Sequence, residues 1–247
     1  MVAHGCDRKG YPRRMKVARA LVIAGVVGAA GVRIARSRHQ RSLHPDGRSF
    51  TGCLEIFGGG APIGANLLDR PARHPVTVRV SKGGGTPPGW PDVLGVALRV
   101  HGPVAGRRTD LLFSTAGQHR LTRHLPAPRR SFDTRYGTIT GYRTGSGQKL
   151  YLAVTCDPES ASLGRTLESV VTAAADDGAR LLLKDGTGRV FGRVIFGDLL
   201  TGATDAALGF NPANAPADLH PTGLIHATRA PAYRLSQRWR HQHPPAG

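Results

Sequence analysis

The sequence predicts an α+β fold: an antiparallel β-barrel of about eight strands, with a helix near the C-terminus closing one side. Two observations carry this. Eight short runs, many β-branched or aromatic, follow one another between turn residues, and the 33 Gly and 18 Pro are scattered as many turns require. Helical periodicity is confined to a few places. A chain of 247 residues is long enough to bury a sizeable core, and closing so many strands into a barrel removes the sheet edges.

In chain order, residues 1–40 read as a basic arm containing an apolar helix, and 41–247 as one domain. The run from Ala20 to Val32 is apolar but short for a membrane span, and is flanked by Arg13, Arg14, Lys16 and Arg19 before it and Arg33, Arg36 and Arg38 after it. A helix packed on the domain is the expected state, with weak membrane-surface contact through 13–38 as its rival. The candidate strands are 51–57, 76–80, 94–101, 109–114, 137–143, 149–156, 179–184 and 189–196. Asp185-Gly186 between the last two is a hairpin signal. A helix is expected over 160–175, where Leu163, Leu167, Val170 and Val171 fall at helical spacing. Residues 208–222 read as an ordered loop, and 231–243 as a helix opened by Pro231.

Lys plus Arg number 34 against 16 acids, giving a formal net charge of +18, and only five of these bases are lysines. That charge attracts anions: nucleic acid, anionic lipid or an acidic cofactor. In the first 41 residues, Asp7 is the one acid among Lys and Arg that recur throughout. Aromatic residues are 6 %, so no base-stacking surface is evident and no specific nucleic-acid partner is expected. Cys6, Cys53 and Cys156 lie far apart without a CxxC pair, against a zinc site or disulfide framework and in keeping with a cytoplasmic protein.

Several chemical motifs are weak or missing. Gly83-Gly84-Gly85 lacks the GK[ST] ending of a phosphate loop and leads into Thr86-Pro87-Pro88, so a tight turn is the better account. His119 with His124, and His220 with His226, have spacings that suit neither one helix face nor a strand. No GxSxG elbow is present.

A more specific pattern starts at Arg41-Ser42-Leu43-His44-Pro45-Asp46-Gly47 and continues with Val78-Arg79-Val80-Ser81, then 91–100 (PDVLGVALRV), then Asp110-Leu111-Leu112. It ends with Arg229, Tyr233 and Arg240, in the arrangement R-x-x-x-Y-x6-R. In this order and context the segments resemble the heme-dependent catalases: their distal-histidine segment R-x-x-H-x-x-G, their V-R-F-S and R-D-x-R-G-F-A-x-K-F strands, their D-L-V, and their proximal helix. The resemblance covers about residues 41–116 and 205–243. It implies a catalase-like barrel, heme as cofactor and a peroxide as substrate.

By this resemblance Tyr233 ligates the heme iron, its phenolate stabilised by Arg229 one helical turn earlier. Arg41, Arg79 and Arg240 hold the propionates by bidentate charged hydrogen bonds. His44 moves the peroxide proton and Ser81, on the same strand face as Arg79, orients it. Ser114 stands where catalases place a peroxide-positioning Asn. A hydroxyl is shorter and lacks the amide donor pair. Hydrogen peroxide dismutation, peroxidase chemistry on organic hydroperoxides, and a catalytically degenerate relative therefore stand side by side, with a basic nucleic-acid-binding protein as a further alternative.

Overall fold

The computed structural model describes residues 44, 46–58, 60–102, 108–117, 119, 122–176 and 178–222. Arg41, Arg229, Tyr233, Arg240 and the 1–40 arm lie outside the described residues.

Eight strands close a barrel. In order around it they are β1 (Asp46–Ile56), β10 (Val190–Leu199), β9 (Arg180–Lys184), β8 (Ala153–Cys156), β5 (Tyr136–Gly137), β4 (Arg108–Ser114), β3 (Leu94–His101) and β2 (Ala72–Lys82). Every pairing is antiparallel. The barrel expected from the sequence is present, with two adjustments. The runs 137–143 and 149–156 each divide. Their inner halves, β6 (Gly141–Thr144) and β7 (Lys149–Leu150), leave the barrel and form a three-stranded sheet with β11 (Leu219–Thr222). β11 falls within the stretch 208–222 expected as loop. Its His-Pro-Thr composition is a poor strand signal, and pairing to β6 supplies what propensity does not.

Alternation sorts the side chains. One face of β1–β4 carries Phe50, Leu54, Val78, Val80, Leu98 and Leu111, all fully buried inside the barrel. Each such side chain contributes about 1.5–3 kcal/mol by leaving water. The opposite, outer face of the same strands carries Ser49, Arg79, Ser81, Arg99 and Asp110, and these too are buried.

Among the described residues, three helices accompany the barrel: α1 (Asn66–Asp69), α2 (Leu167–Asp176) and α3 (Gly202–Ala207). α2 starts later than its periodicity suggests. The segment before it is held as a loop by Asp133, which accepts hydrogen bonds from Ser162 Oγ (2.6 Å) and the N–H groups of Leu163 (2.7 Å) and Gly164 (3.1 Å). Gly164 has φ +69°, which a helix does not accommodate. Val170, Leu167 and Ala173 of α2 are buried, and the helix packs on β10. The predicted Asp185 turn joins β9 to β10, with Asp185 Oδ1 accepting from Thr187 N at 2.8 Å.

The Gly83–Gly85 stretch is a turn, and its anion is internal. Asp92 accepts from Gly84 N (2.7 Å) and Thr86 N (2.9 Å), filling the concavity that a phosphate would need. Lys82 Nζ meanwhile donates to the carbonyls of Thr86 and Pro87. Among the described residues, no helix is long and apolar enough to cross a membrane.

Candidate functional site

The outer face of β1–β4 is buried, polar and charged, an arrangement that needs partners for every group. The segment after β10 supplies many of them. Arg99 donates to Asp110 in bidentate fashion, Nε to Oδ1 at 2.8 Å and Nη2 to Oδ2 at 2.9 Å. Asp110 also accepts from Asn211 N and Asn214 Nδ2, both at 2.8 Å, and the Phe210 ring lies 4.8 Å from the Arg99 guanidinium. The 208–215 loop is thereby ordered by a buried ion pair.

One row higher, Arg79 (4 % exposed) is held by Asp205 of α3, whose carboxylate also accepts from Ser49 Oγ. Arg79 Nη2 reaches the carbonyl oxygen of His44 at 3.5 Å. Arg79 and His44 thus meet, through guanidinium and backbone. Among the described residues, the carboxylate facing Arg79 is the protein's own.

His44 is the residue around which the next row is built. Its φ is 58°, in the left-handed region, where His is one of the few residues with some tolerance. Its N–H donates to Gly83 O at 3.4 Å. Its Nδ1 is 3.0 Å from Ser81 Oγ, and Ser81 is 5 % exposed. The ring lies against Gly95. A Cβ there would stand 2.6 Å from His44 Cε1, 2.8 Å from Nδ1 and 3.0 Å from Ser81 Oγ, so only glycine leaves room. Gly47 does the same for Arg79, whose Nη2 would lie 2.6 Å from an added Cβ.

The registers explain why these residues converge. Gly47 pairs with Ser81, Ser81 with Gly95, and Gly95 with Ser114. Directly opposite residues of an antiparallel pair share a face. His44 therefore sits over a transverse row of small residues, and Ser114 lies one strand spacing, about 5 Å, beyond Gly95. Ser114 Oγ donates to Leu94 O at 3.4 Å, while neighbouring Thr115 is turned inward and accepts from Leu94 N at 3.0 Å.

Of the residues singled out from the sequence, His44, Ser81, Arg79 and Ser114 share this outer face. Arg41, Arg229, Tyr233 and Arg240 lie outside the described residues. Among the described residues, no three His, Cys, Asp or Glu side chains converge to hold a metal ion. Sequence reasoning quoted Gly47 and Gly95 within its motifs without giving them a role, and missed Asp205. Glycines inside otherwise good strands are the signal for the first two, since they mark close approach of another group. Nothing local marks Asp205, whose partner is 126 residues away. Cys156 is also withdrawn from chemistry: burial and then the nearby Asp133 push its thiol up to about 12.

No family model matches the chain, and no curated protein matches it in sequence. Solved structures do match in shape. A fungal catalase aligns with a TM-score of 0.60 at 12 % identity, covering 98 % of this chain and 67 % of its own. A bacterial catalase aligns with a TM-score of 0.64 at 13 % identity, covering 87 % of this chain and 62 % of its own. The barrel is thus a catalase-like fold. This chain spans about two thirds of the length of those catalases or less.

Proposed function

We propose that the protein binds heme on the outer face of β1–β4 and carries out peroxide-dependent chemistry there. The observation that supports this most is the hydrogen bond between His44 and Ser81 over the glycine row. Gly95 gives its space to the His44 ring and Gly47 to the Arg79 guanidinium, so both groups lie close on the strands, where a planar ligand could face them. Tyr233 is the residue that would hold the iron, with Arg229 beside it and Arg41, Arg79 and Arg240 toward the propionates. A propionate reaching Arg79 would share that guanidinium with Asp205. Bound heme supplies the redox-active iron at which the peroxide O–O bond is cleaved.

The chain's own residues handle the proton. Ser81 Oγ lies 3.4 Å from Gly95 O as well as 3.0 Å from His44 Nδ1. If its one hydrogen goes to Gly95, its oxygen accepts from Nδ1–H. That tautomer puts the imidazole lone pair on Nε2. His44 then takes a proton from one peroxide oxygen and returns it to the other, which leaves as water or an alcohol. Ser81 acts through His44 and is a positioning residue. Ser114, beyond Gly95, orients the peroxide with a single hydroxyl.

Purified full-length protein titrated with hemin tests this. The expected result is one-to-one binding with a high-spin ferric-phenolate spectrum that Tyr233→Phe abolishes, and peroxide consumption that His44→Ala abolishes. An unchanged spectrum in Tyr233→Phe overturns the ligand. Holoprotein that consumes neither hydrogen peroxide nor an alkyl hydroperoxide overturns the reaction and leaves a heme-binding barrel.

A further inference from the structure

The row of small residues runs on past Ser114. Ser114 pairs with Gly137 of β5, and Gly137 with Ala153 of β8. Beyond Gly95 the row therefore crosses three more strands, about 14 Å at the usual strand spacing.

Two guanidiniums stand at this far end. Arg135 directly precedes β5, and a Cβ added to Gly137 would lie 3.5 Å from its Nη1. Its side chain thus reaches the floor of the row. Arg123 lies on the 3-10 turn Thr122–His124, with its guanidinium 4.5 Å from the Tyr151 ring. Arg123 Nε is enclosed and, among the described residues, has no hydrogen-bond partner. Lys149 Nζ, 5.4 Å from the same ring, adds a third cation. Burial, and then the charge of Arg123, lower the pKa of Arg135, as expected when two cations share a partly desolvated place.

Elsewhere in the fold, three withdrawn arginines have acids. Arg79 has Asp205, Arg99 has Asp110 and Arg193 has Asp157. With 16 acids for 34 bases, acids are scarce. Among the described residues, none pairs with Arg123 or Arg135. Thr138 N donates to Leu152 O at 2.9 Å, so Tyr151, with Arg123 over its ring, lies next to the β5 segment that carries Arg135, and two cations on one partly desolvated patch are unfavourable without a counter-charge. Guanidinium forks match a planar carboxylate in bidentate geometry. The Tyr151 ring under Arg123 offers apolar surface to the rest of an organic molecule.

We propose that Arg123 and Arg135 form a binding subsite for the carboxylate of an organic acid, at the Gly137 end of the row whose other part lies under His44. The subsite stands on the cationic pair and does not depend on heme.

The test is calorimetric titration of the full-length protein, without hemin, with octanoate, with octanamide as its uncharged counterpart, and with inorganic phosphate. Octanoate is expected to bind, and Arg123→Gln and Arg135→Gln each to weaken it about 10- to 100-fold, the loss of a charged hydrogen bond. Octanamide is expected to be unaffected by either change. Arg143→Gln, at an exposed arginine of β6, should keep wild-type affinity. Thermal melting separates binding from structure, because removing one of two unpaired cations should hold or raise Tm. Should a Gln variant not fold, Arg135→Lys, which keeps the charge and loses the fork, is expected to show a smaller loss. Octanoate affinity unchanged in the double Gln variant overturns the proposal. So does equal loss of octanoate and octanamide, or binding of phosphate with none of octanoate.

Discussion

Replacing Gly95 by alanine isolates the contribution of the glycine row to the seating of His44. The new methyl would stand 2.6 Å from His44 Cε1, whereas ordinary contact begins at 3.4 Å. The imidazole must then withdraw by about 0.8 Å or the strand must shift. The same displacement takes the 3.0 Å contact between His44 Nδ1 and Ser81 Oγ to nearly 4 Å, beyond hydrogen-bond range. Overpacking of this kind costs about 1–3 kcal/mol. For a chain of this size that lowers Tm by roughly 2–12 °C. Misplacing the proton-transfer group by about 1 Å should reduce peroxide turnover of the hemin-loaded protein on the order of 100-fold. Calorimetry gives the first quantity, and imidazole nitrogen NMR reports whether the Nδ1 hydrogen bond survives. If Gly95→Ala keeps that NMR signal and full turnover, the idea that the glycine seats His44 is wrong.

Two further predictions concern single acids of the fold. Asp205→Asn removes the charge opposite Arg79, whose side chain is 4 % exposed, while Asp205 is 18 % exposed. Breaking a buried pair from one side should cost about 3–5 kcal/mol, read as a lower urea midpoint at unchanged slope. A loss under about 1 kcal/mol would mean the pair behaves like a surface one. The second concerns pH. Burial pushes the Asp133 carboxyl upward, but hydrogen bonds from Ser162, Leu163 N–H and Gly164 N–H outweigh it and leave the pKa below 3.8. A depressed carboxyl contributes stability that is present above the unfolded value and lost as pH falls through the folded one. Asp133→Asn should therefore flatten the acid limb of stability below about pH 4, and an unchanged limb would remove Asp133 as its source.

Much of the barrel was legible because its signals are local. Runs such as 94–101 and 189–196 alternate or fill with β-branched residues, and each became a strand. The divided runs were not legible, because whether Gly141–Thr144 stays in the barrel depends on β11, far along the chain. Helix α2 was displaced by Asp133, which holds the preceding loop from a different part of the sequence. In the candidate site, the resemblance singled out His44, Arg79 and Ser81 by their order and strand context. The pairings across strands that line up Gly47, Gly95 and Ser114 exist only once register is fixed. Arg123 and Arg135 read as two of many arginines, and become distinct only when the acids prove to be elsewhere.

The ion pairs of the outer face also bear on the order in which the protein assembles. β1 to β4 can zip up as neighbours soon after they leave the ribosome. Arg79 must then wait for a partner 126 residues later, and Arg99 for the Gly209 carbonyl 110 residues later. At usual rates of synthesis that delay is on the order of 10 s. Throughout it, the future site is a hydrated, charged surface on a nascent meander, which keeps that side from sticking to other chains. The same arginines that are costly to bury at the end thus act as solubilising groups at the beginning, and the chain past β10 completes the fold by covering them.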